Sequence, residues 1–105
     1  MKQKSNKLNN LEKSRYSVLT DNLDQCYLCH LPYPDMNEIF CGRNRINSIK
    51  YGLCVPLCRN CHNRFHNDRN MQIWFMKKAL NEFLKTHTID EFKNSFRYIK
   101  GLDIF

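Results

Sequence analysis

The chain has 105 residues and carries 17 lysines and arginines against 10 acidic residues, which gives a formal net charge of +7 and a pI of about 9.2. This length predicts one domain with a small hydrophobic core, a size at which a structural metal is a common supplement. No run approaches the roughly 20 apolar residues of a membrane span, and we expect neither a membrane helix nor a signal peptide. The six cysteines are therefore expected to be reduced, in a cytoplasmic protein.

Two parts of the chain differ in composition. Residues 1–13 are polar and lysine-rich and predict a basic flexible arm. Residues 14–105 predict a single folded domain with a helical C-terminal extension. Early in this domain, Pro32 and Pro34 indicate a turn-rich connection.

A β-hairpin is predicted in the middle of the chain. Met36–Cys41 is a short apolar run that is typical of a strand, and Gly42 would end it. Asn44–Lys50 is polar and predicts a loop. Tyr51–Leu57 is a second apolar run, in which Pro56 indicates an edge or terminating strand because proline lacks a backbone donor.

The remainder of the chain predicts helices, the first beginning near Arg59. A later helix is predicted by apolar residues at helical spacing, namely Ile73, Met76, Leu80 and Phe83, with Trp74, Phe75, Ala79 and Leu84 widening the stripe. Thr88-Ile89-Asp90-Glu91 has the form of a capping box and predicts a further helix with an apolar face of Ile89, Phe92, Phe96 and Ile99. Aromatic residues can stack on bases, but this spacing favours core packing.

Two CxxC pairs predict a structural zinc site, because each pair turns two thiolates toward one tetrahedral ion. The predicted ligands are Cys26, Cys29, Cys58 and Cys61. A rival set of Cys26, Cys29, His62 and His66 would leave Cys58 and Cys61 unused. Its inner gap also exceeds the ~12–15 residues usual in two-cysteine, two-histidine fingers.

The other cysteines and histidines outside these pairs receive packing roles. Cys41 and Cys54 are predicted to be small apolar core residues. His30 follows a knuckle cysteine and His87 lies near a predicted helix end, and both are expected to be surface or packing residues.

His62 and His66 follow the second CxxC pair directly. If a helix begins there, the two imidazoles lie one turn apart on one face. A second metal position built on a zinc knuckle indicates chemistry in addition to a structural role. The residues therefore predict a second metal position at these two histidines, apart from the structural zinc.

Six cations and one acid, Asp68, occupy the span from Gly42 to Asn70. Arginine suits bidentate contacts with phosphate, and cations around a metal-ligand cluster favour a nucleic-acid rim over an ordinary solvated loop. The predicted nucleic-acid-binding residues are Arg43, Arg45, Lys50, Arg59, Arg64 and Arg69.

From Gln25 to Asn67 the chain resembles the HNH, or ββα-metal, endonucleases of the zinc-knuckle type often carried by phages and prophages. The residues that carry the resemblance are CYLC, NEIFCGRNR, NSIKYGL and VPLCRNCHNRFH. The resemblance implies an α+β fold with a small zinc-stabilised ββα-metal core, a β-hairpin plus a helix, followed here by C-terminal helices. It also implies one catalytic divalent ion, Mg²⁺, Mn²⁺, Ni²⁺ or Zn²⁺, between the first strand and the helix.

Carried over by motif, the resemblance makes His62 and His66 the helical ligands of that ion. The strand-end position, where the family usually has a histidine, is occupied by Asn37-Glu38. Asn37 can ligate a hard cation, and Glu38 can be the third ligand or the general base. Strand alternation sends these two neighbours to opposite faces, so both serve only where the strand frays or bulges.

Two further positions bear on the resemblance. Arg43 would clamp the scissile phosphate or a neighbouring one, with ordinary backbone binding or loop capping as its other role. Gly52 stands where the family has an asparagine that ties the hairpin loop together.

The sequence leaves three functions open. The first is a metal-dependent DNA endonuclease that contacts the phosphate backbone with little sequence preference, alone or with a protein partner or as a dimer. The second is a weakened, HNH-like module that binds nucleic acid without cutting it, which Asn37 and Gly52 favour. The third is an interaction protein that uses the zinc fold as a scaffold.

Overall fold

The computed structural model describes residues 15–105, so the predicted arm at residues 1–13 lies outside the described residues. The described part is an α+β fold with one two-stranded antiparallel sheet and four α-helices, which confirms the predicted fold class at this level. The elements are β1 (Asp35–Glu38), a 3-10 turn (Gly42–Asn44), α1 (Arg45–Lys50), β2 (Cys54–Leu57), α2 (Arg59–Asn67), α3 (Arg69–Phe83) and α4 (Ile89–Ser95).

The hairpin strands are shorter than the apolar runs that predict them. β1 pairs with β2 without a bulge, from Asp35 opposite Leu57 to Glu38 opposite Cys54. Ile39 continues the pairing, because its amide donates to the Leu53 carbonyl at 3.0 Å. An unbroken register means that neighbouring side chains along β1 point to opposite faces of the sheet.

The outer edge of β2 is covered by the segment that precedes β1. The amide of Val18 donates to the Gly52 carbonyl at 2.9 Å, and the amide of Tyr27 donates to the Pro56 carbonyl at 2.8 Å. Pro56 therefore occupies a strand edge, as predicted, where its missing amide costs no ladder hydrogen bond. The covering segment also leaves less of the edge open to pairing with another chain.

The connection between the strands is helical, and the prediction of a loop over Asn44–Lys50 is wrong. Its polar composition reflects the exposed face of α1, whereas Ser48 and Ile49 are 0% and 2% exposed. The Ser48 hydroxyl donates to the Phe40 carbonyl at 2.7 Å and accepts from the Phe40 amide at 3.2 Å. These bonds attach the short helix to the end of β1.

Gly52 is required by both conformation and space. Its φ of +70° lies in the left-handed region, which a side chain disfavours. A Cβ atom at this position would lie 2.3 Å from Cε2 of Tyr16, whose ring packs over the glycine. A glycine here therefore has a structural reason that is independent of any family pattern.

Helix α3 buries one face in the core, where Phe75 contacts the rings of Tyr27 and of Phe65 in α2, and Phe83 contacts the Tyr51 ring. The buried residues include the predicted Met76, Leu80 and Phe83, together with Phe75 and Ala79. The predicted widening of the stripe is wrong at Trp74 and Leu84, which are 48% and 39% exposed. In total, five apolar side chains hold the helix on the core.

Helix α4 begins with the predicted capping box, in which Thr88 and Glu91 bond each other's backbone amides. The helix ends at Ser95, so Phe96 and Ile99 reach the core from an irregular segment. Ile89 is 37% exposed and is not part of the buried face. None of the helices within residues 15–105 combines the length and apolar composition needed to cross a membrane.

Candidate functional site

Four cysteines converge into one cluster. The Sγ atoms of Cys26, Cys29, Cys58 and Cys61 all lie within 4.8 Å of one another. The Sγ atom of Cys29 lies 3.4 Å from that of Cys58 and 3.9 Å from that of Cys61. Tetrahedral zinc with Zn–S bonds of about 2.3 Å requires sulfur atoms about 3.8 Å apart. The cluster therefore fits a structural metal such as zinc.

Local backbone geometry aims these sulfur atoms inward. In the first pair, the Cys29 amide donates to the Cys26 sulfur at 3.5 Å. In the second, Cys58 caps α2 and its sulfur accepts from the Cys61 amide at 3.4 Å. The turn after the first pair places His30 at a φ of +64°. Each pair is thus a self-contained knuckle, and folding brings the two knuckles together.

The sulfur atoms differ in how readily they ionise. Burial raises the pKa of Cys26, but backbone donors, Cys29 first among them, outweigh burial and hold it at about 6. The Cys61 amide lowers the pKa of Cys58. Burial and the neighbouring sulfurs raise the pKa of Cys61. Four neighbouring thiolates need a cation to offset their mutual repulsion, and a divalent metal supplies it.

The two remaining cysteines lie outside the cluster. Cys54 is 0% exposed and is a core residue, as predicted. Cys41 is exposed, so its assignment to the core is wrong. It follows Ile39 and Phe40 at the end of the hairpin strand, where the chain turns outward at Gly42. His87, predicted to pack, stacks on Phe83 with ring centroids 4.3 Å apart.

His62 and His66 project from one side of α2, with ring centroids 4.5 Å apart. Nδ1 of His62 is buried and has no hydrogen-bond partner within residues 15–105, whereas the His66 side chain is exposed. Burial lowers the pKa of His62, and the adjacent His66 lowers it further. The neutral imidazole favoured by this environment is the form that ligates metals.

Asn37 is a second buried polar residue near this helix. It is 2% exposed, and its Nδ2 atom has no hydrogen-bond partner in the part of the chain that the structure describes. Asp35 lies two residues earlier in β1 and therefore on the same face of the strand. Its Oδ2 atom forms an ion pair with Nη2 of Arg59 in α2, at a distance of 3.2 Å. This contact orients the face that carries Asn37 toward the helix that carries His62.

Asp35 is the residue that sequence reasoning missed. Its carboxylate raises the pKa of His62 against the larger effect of burial, so its charge acts directly at the imidazole. The strand periodicity contained a usable signal, because residues i and i+2 of a strand share a face and Asp35 precedes Asn37 by two.

Glu38 points away from the Asn37 face and is engaged elsewhere. Its Oε1 atom lies 2.5 Å from Nη2 of Arg15 and 3.2 Å from Nε of Arg45. β1 neither frays nor bulges at this point, so the condition for Asn37 and Glu38 to serve together is absent. The Glu38 charge still acts on His62, where it raises the pKa weakly.

The predicted catalytic residues do not gather as closely as the cysteines do. Within residues 15–105, the four cysteines form the only group of three or more His, Cys, Asp or Glu donors that converge on one point. His62 and His66 are adjacent, but no carboxylate joins them at that distance. The described geometry therefore contains one complete metal site and a pair of histidines.

The six predicted nucleic-acid-binding cations fall into two groups. Arg43 and Arg64 are exposed, and neither makes a hydrogen bond or ion pair among residues 15–105. The others have partners in the fold: Arg45 with Glu38, Arg59 with Asp35, Arg69 with Gln72 and the Lys100 carbonyl, and Lys50 over the Tyr51 ring. Their contact with nucleic acid stays a prediction.

Comparisons of the chain with protein-family models, curated proteins and solved structures give no match.

Proposed function

We propose that this chain is a metal-dependent DNA endonuclease of the HNH type, which hydrolyses phosphodiester bonds. The observation that carries the proposal is a pair of unsatisfied polar atoms, Nδ1 of His62 and Nδ2 of Asn37, buried where β1 packs on α2. Buried polar atoms are rarely left without a partner, and an absent ligand is one reason for an exception. Both residues come from the motifs that resemble this family.

In this proposal, His62 and His66 hold the catalytic divalent ion, with Asn37 as the strand ligand. The oxygen and nitrogen of an amide are assigned from hydrogen bonding, so a flipped Asn37 presents its oxygen where Nδ2 now stands. A divalent ion bound there supplies positive charge to a phosphate and lowers the pKa of a water molecule. Asp35 would assist by keeping His62 in place and adding negative charge.

The remaining roles fall to charged residues beside the strand. Glu38 acts as general base only after two changes on substrate binding: a phosphate competes for Arg15 and Arg45, which now hold its carboxylate, and the end of β1 frays, because the unbroken strand keeps Glu38 on the opposite face from Asn37. Arg43, exposed beside α1, contacts the scissile phosphate or its neighbour. General-base assistance contributes about 10²–10⁴-fold, so an enzyme with Glu38 partly engaged would be slow but active.

The four-cysteine zinc keeps α2 in position and takes no part in the reaction. The resemblance to phage and prophage enzymes also leads us to propose a phage or prophage origin and the bacterial host cytoplasm as the location.

The test is nicking of supercoiled plasmid by the full chain with Mg²⁺, Mn²⁺, Ni²⁺ or Zn²⁺. We expect nicking with at least one ion, and loss of at least about 10²-fold of the initial rate in His62→Ala. His30→Asn is the matched control, because asparagine tolerates the left-handed backbone at this exposed histidine. Equal activity of wild type and His62→Ala would exclude a catalytic ion at this histidine.

A second function, nucleic-acid binding without cleavage, is favoured by one specific observation. Glu38 is neutralised by two arginines, which suits a structural carboxylate better than a base. Under this alternative the wild type binds DNA but does not nick it with any of the four ions. Asn37→His, which restores the strand-end imidazole of the family, would then create activity that the wild type lacks.

A further inference from the structure

A groove beside α1 is separate from the histidine pair and shares one residue, Arg43, with the proposed reaction. It runs between α1 and the irregular chain that follows α4, and it encloses about 660 Å³. This volume falls within the range of about 300–1,000 Å³ typical of ligand clefts. Among the described residues that line it are three cations, Arg43, Lys93 and Arg97, and no Asp or Glu.

Two asparagine side chains shape the groove because they hydrogen-bond the backbone at Ser95 and Arg97, which holds this segment beside α1. Asn44 is 7% exposed, its Oδ1 accepts from the Arg97 amide at 2.8 Å and its Nδ2 donates to the Arg97 carbonyl at 3.3 Å. Nδ2 of Asn47 donates to the Ser95 carbonyl at 2.5 Å. These contacts join residues 48 and 53 positions apart in sequence. They fix Arg97 across the groove from Arg43.

The three cations are available to a ligand. Each is exposed, and none makes an ion pair within residues 15–105. Three like charges facing one cleft raise the local concentration of anions, and two of the three are arginines, which suit phosphate. The groove is therefore a site for a polyanion.

Exposed aromatic rings adjoin the cations. Tyr98 is 73% exposed and Phe105 is 42% exposed, with ring centroids 5.8 Å apart. Both line the groove. Bases stack on such rings in proteins that bind single strands, and every base offers a π-face. Bases in a duplex have both faces covered, so the rings favour an unpaired strand.

We propose that this groove binds single-stranded nucleic acid, with phosphates on Arg43, Lys93 and Arg97 and a base stacked on Tyr98. The inference deepens the proposed function, on which it rests for the nucleic-acid substrate, by adding an unpaired segment to it. The amides of Asn44 and Asn47 are occupied by backbone, so little base-edge recognition is expected. Binding should therefore depend weakly on sequence.

The experiment measures fluorescence anisotropy of a labelled 12-nucleotide oligo-dT and of a hairpin duplex of equal charge. The full chain carries His62→Ala in every sample, so cleavage does not enter the readout. Tyr98→Ala is expected to weaken single-strand binding about tenfold and duplex binding little, because a stacked base contributes about that factor. Tyr98→Phe should retain affinity, because it keeps the ring.

The controls are matched in chemistry and exposure. Tyr33→Ala removes a tyrosine that is 94% exposed outside the groove, and Lys77→Ala removes an exposed cation on α3; neither should change single-strand affinity. Arg97→Ala should reduce the slope of log K against log salt by about 0.7, the value for one phosphate contact on a single strand.

Three outcomes would overturn the proposal. They are an unchanged affinity in Tyr98→Ala, an equal loss on single strand and duplex, and equal competition by polyglutamate, which would indicate a general polyanion site. Failure of the endonuclease proposal is read separately, as a wild type that nicks no plasmid. If the chain binds oligo-dT through Tyr98 but does not nick plasmid, the groove proposal stands and the endonuclease proposal fails.

Discussion

The two ends of one short helix present different kinds of metal-binding residues. At the start of α2, four sulfur atoms from two distant segments lie within 4.8 Å of one another. One turn later, His62 and His66 form a pair, and the two carboxylates of the neighbouring strand are held by arginines, Glu38 by two and Asp35 by one.

Under the proposed function, this difference separates a site that stabilises the fold from one that has to admit a substrate. A structural zinc is fully enclosed by protein ligands, and a catalytic ion keeps open positions for water and substrate. Carboxylates that are held by arginines before the substrate arrives can be released when phosphate binds those arginines. We infer that folding brings the cysteine cluster together. The histidine pair, in contrast, becomes a complete site only when a metal ion and a substrate phosphate bind.

Replacement of one cysteine ligand tests the first half of this comparison, with the largest expected effect. Cys58→Ser should abolish the cooperative fold, because zinc binding contributes about 10–16 kcal/mol in zinc-finger peptides, comparable with a whole domain's ~5–15 kcal/mol. Near-ultraviolet circular dichroism and the bound zinc per chain measure it.

The matched control for this change is Cys41→Ser, at an exposed cysteine outside the cluster, which should retain zinc and fold. Wild type from which zinc has been removed by a chelator should resemble Cys58→Ser. A chelated protein that remains folded and monomeric would show that the cluster is not required for the fold.

A substitution of the strand-end carboxylate tests the second half. Glu38→Gln should lower the initial nicking rate about 10²-fold, because the amide has neither the charge nor the basicity that a general base needs. It should also lower the melting temperature, since Arg15 and Arg45 would lose the carboxylate between them.

The companion variant Arg15→Ala separates the two effects of that change. It removes the shorter of the two ion pairs but keeps the carboxylate, so stability should fall while the nicking rate holds or rises. Parallel losses of rate in Glu38→Gln and Arg15→Ala would assign Glu38 a purely structural role.

Substitution of Asp35 has the smallest expected effect. It tests whether the strand beside α2 supports the histidine pair. Its ion pair with Arg59 joins side chains that are 46% and 77% exposed, so its contribution to stability is about 0–1 kcal/mol. If Asp35 supports His62, Asp35→Asn should raise the Mn²⁺ concentration for half-maximal nicking about tenfold.

The control here is Asp21→Asn, at an exposed carboxylate far from α2 in sequence, which should leave the Mn²⁺ requirement unchanged. An unchanged requirement in Asp35→Asn, with wild-type stability, would reduce the Asp35–Arg59 pair to an ordinary surface contact.

Local patterns predicted much of this fold. The CxxC spacing predicted a cysteine cluster, helix α2 begins at Arg59 as expected, and the Thr88–Glu91 capping box forms. Each knuckle, the helix start and the capping box depend on residues within about one helical turn, where spacing sets the geometry, whereas the meeting of the two knuckles depends on folding. Helix α1 was not predicted because four of its six residues are polar or charged, and this composition does not reveal that Ser48 and Ile49 are buried.

What only the tertiary structure decided is which charged and amide groups are engaged. The partners of Glu38 and Asn44 include residues 23 and 53 positions away, and the burial that isolates Asn37 and His62 requires β1 to pack on α2. The same composition of arginines fits a loose phosphate rim or a set of internal ion pairs. Sequence spacing specifies neighbours along the chain, and it carries no record of neighbours that folding brings together.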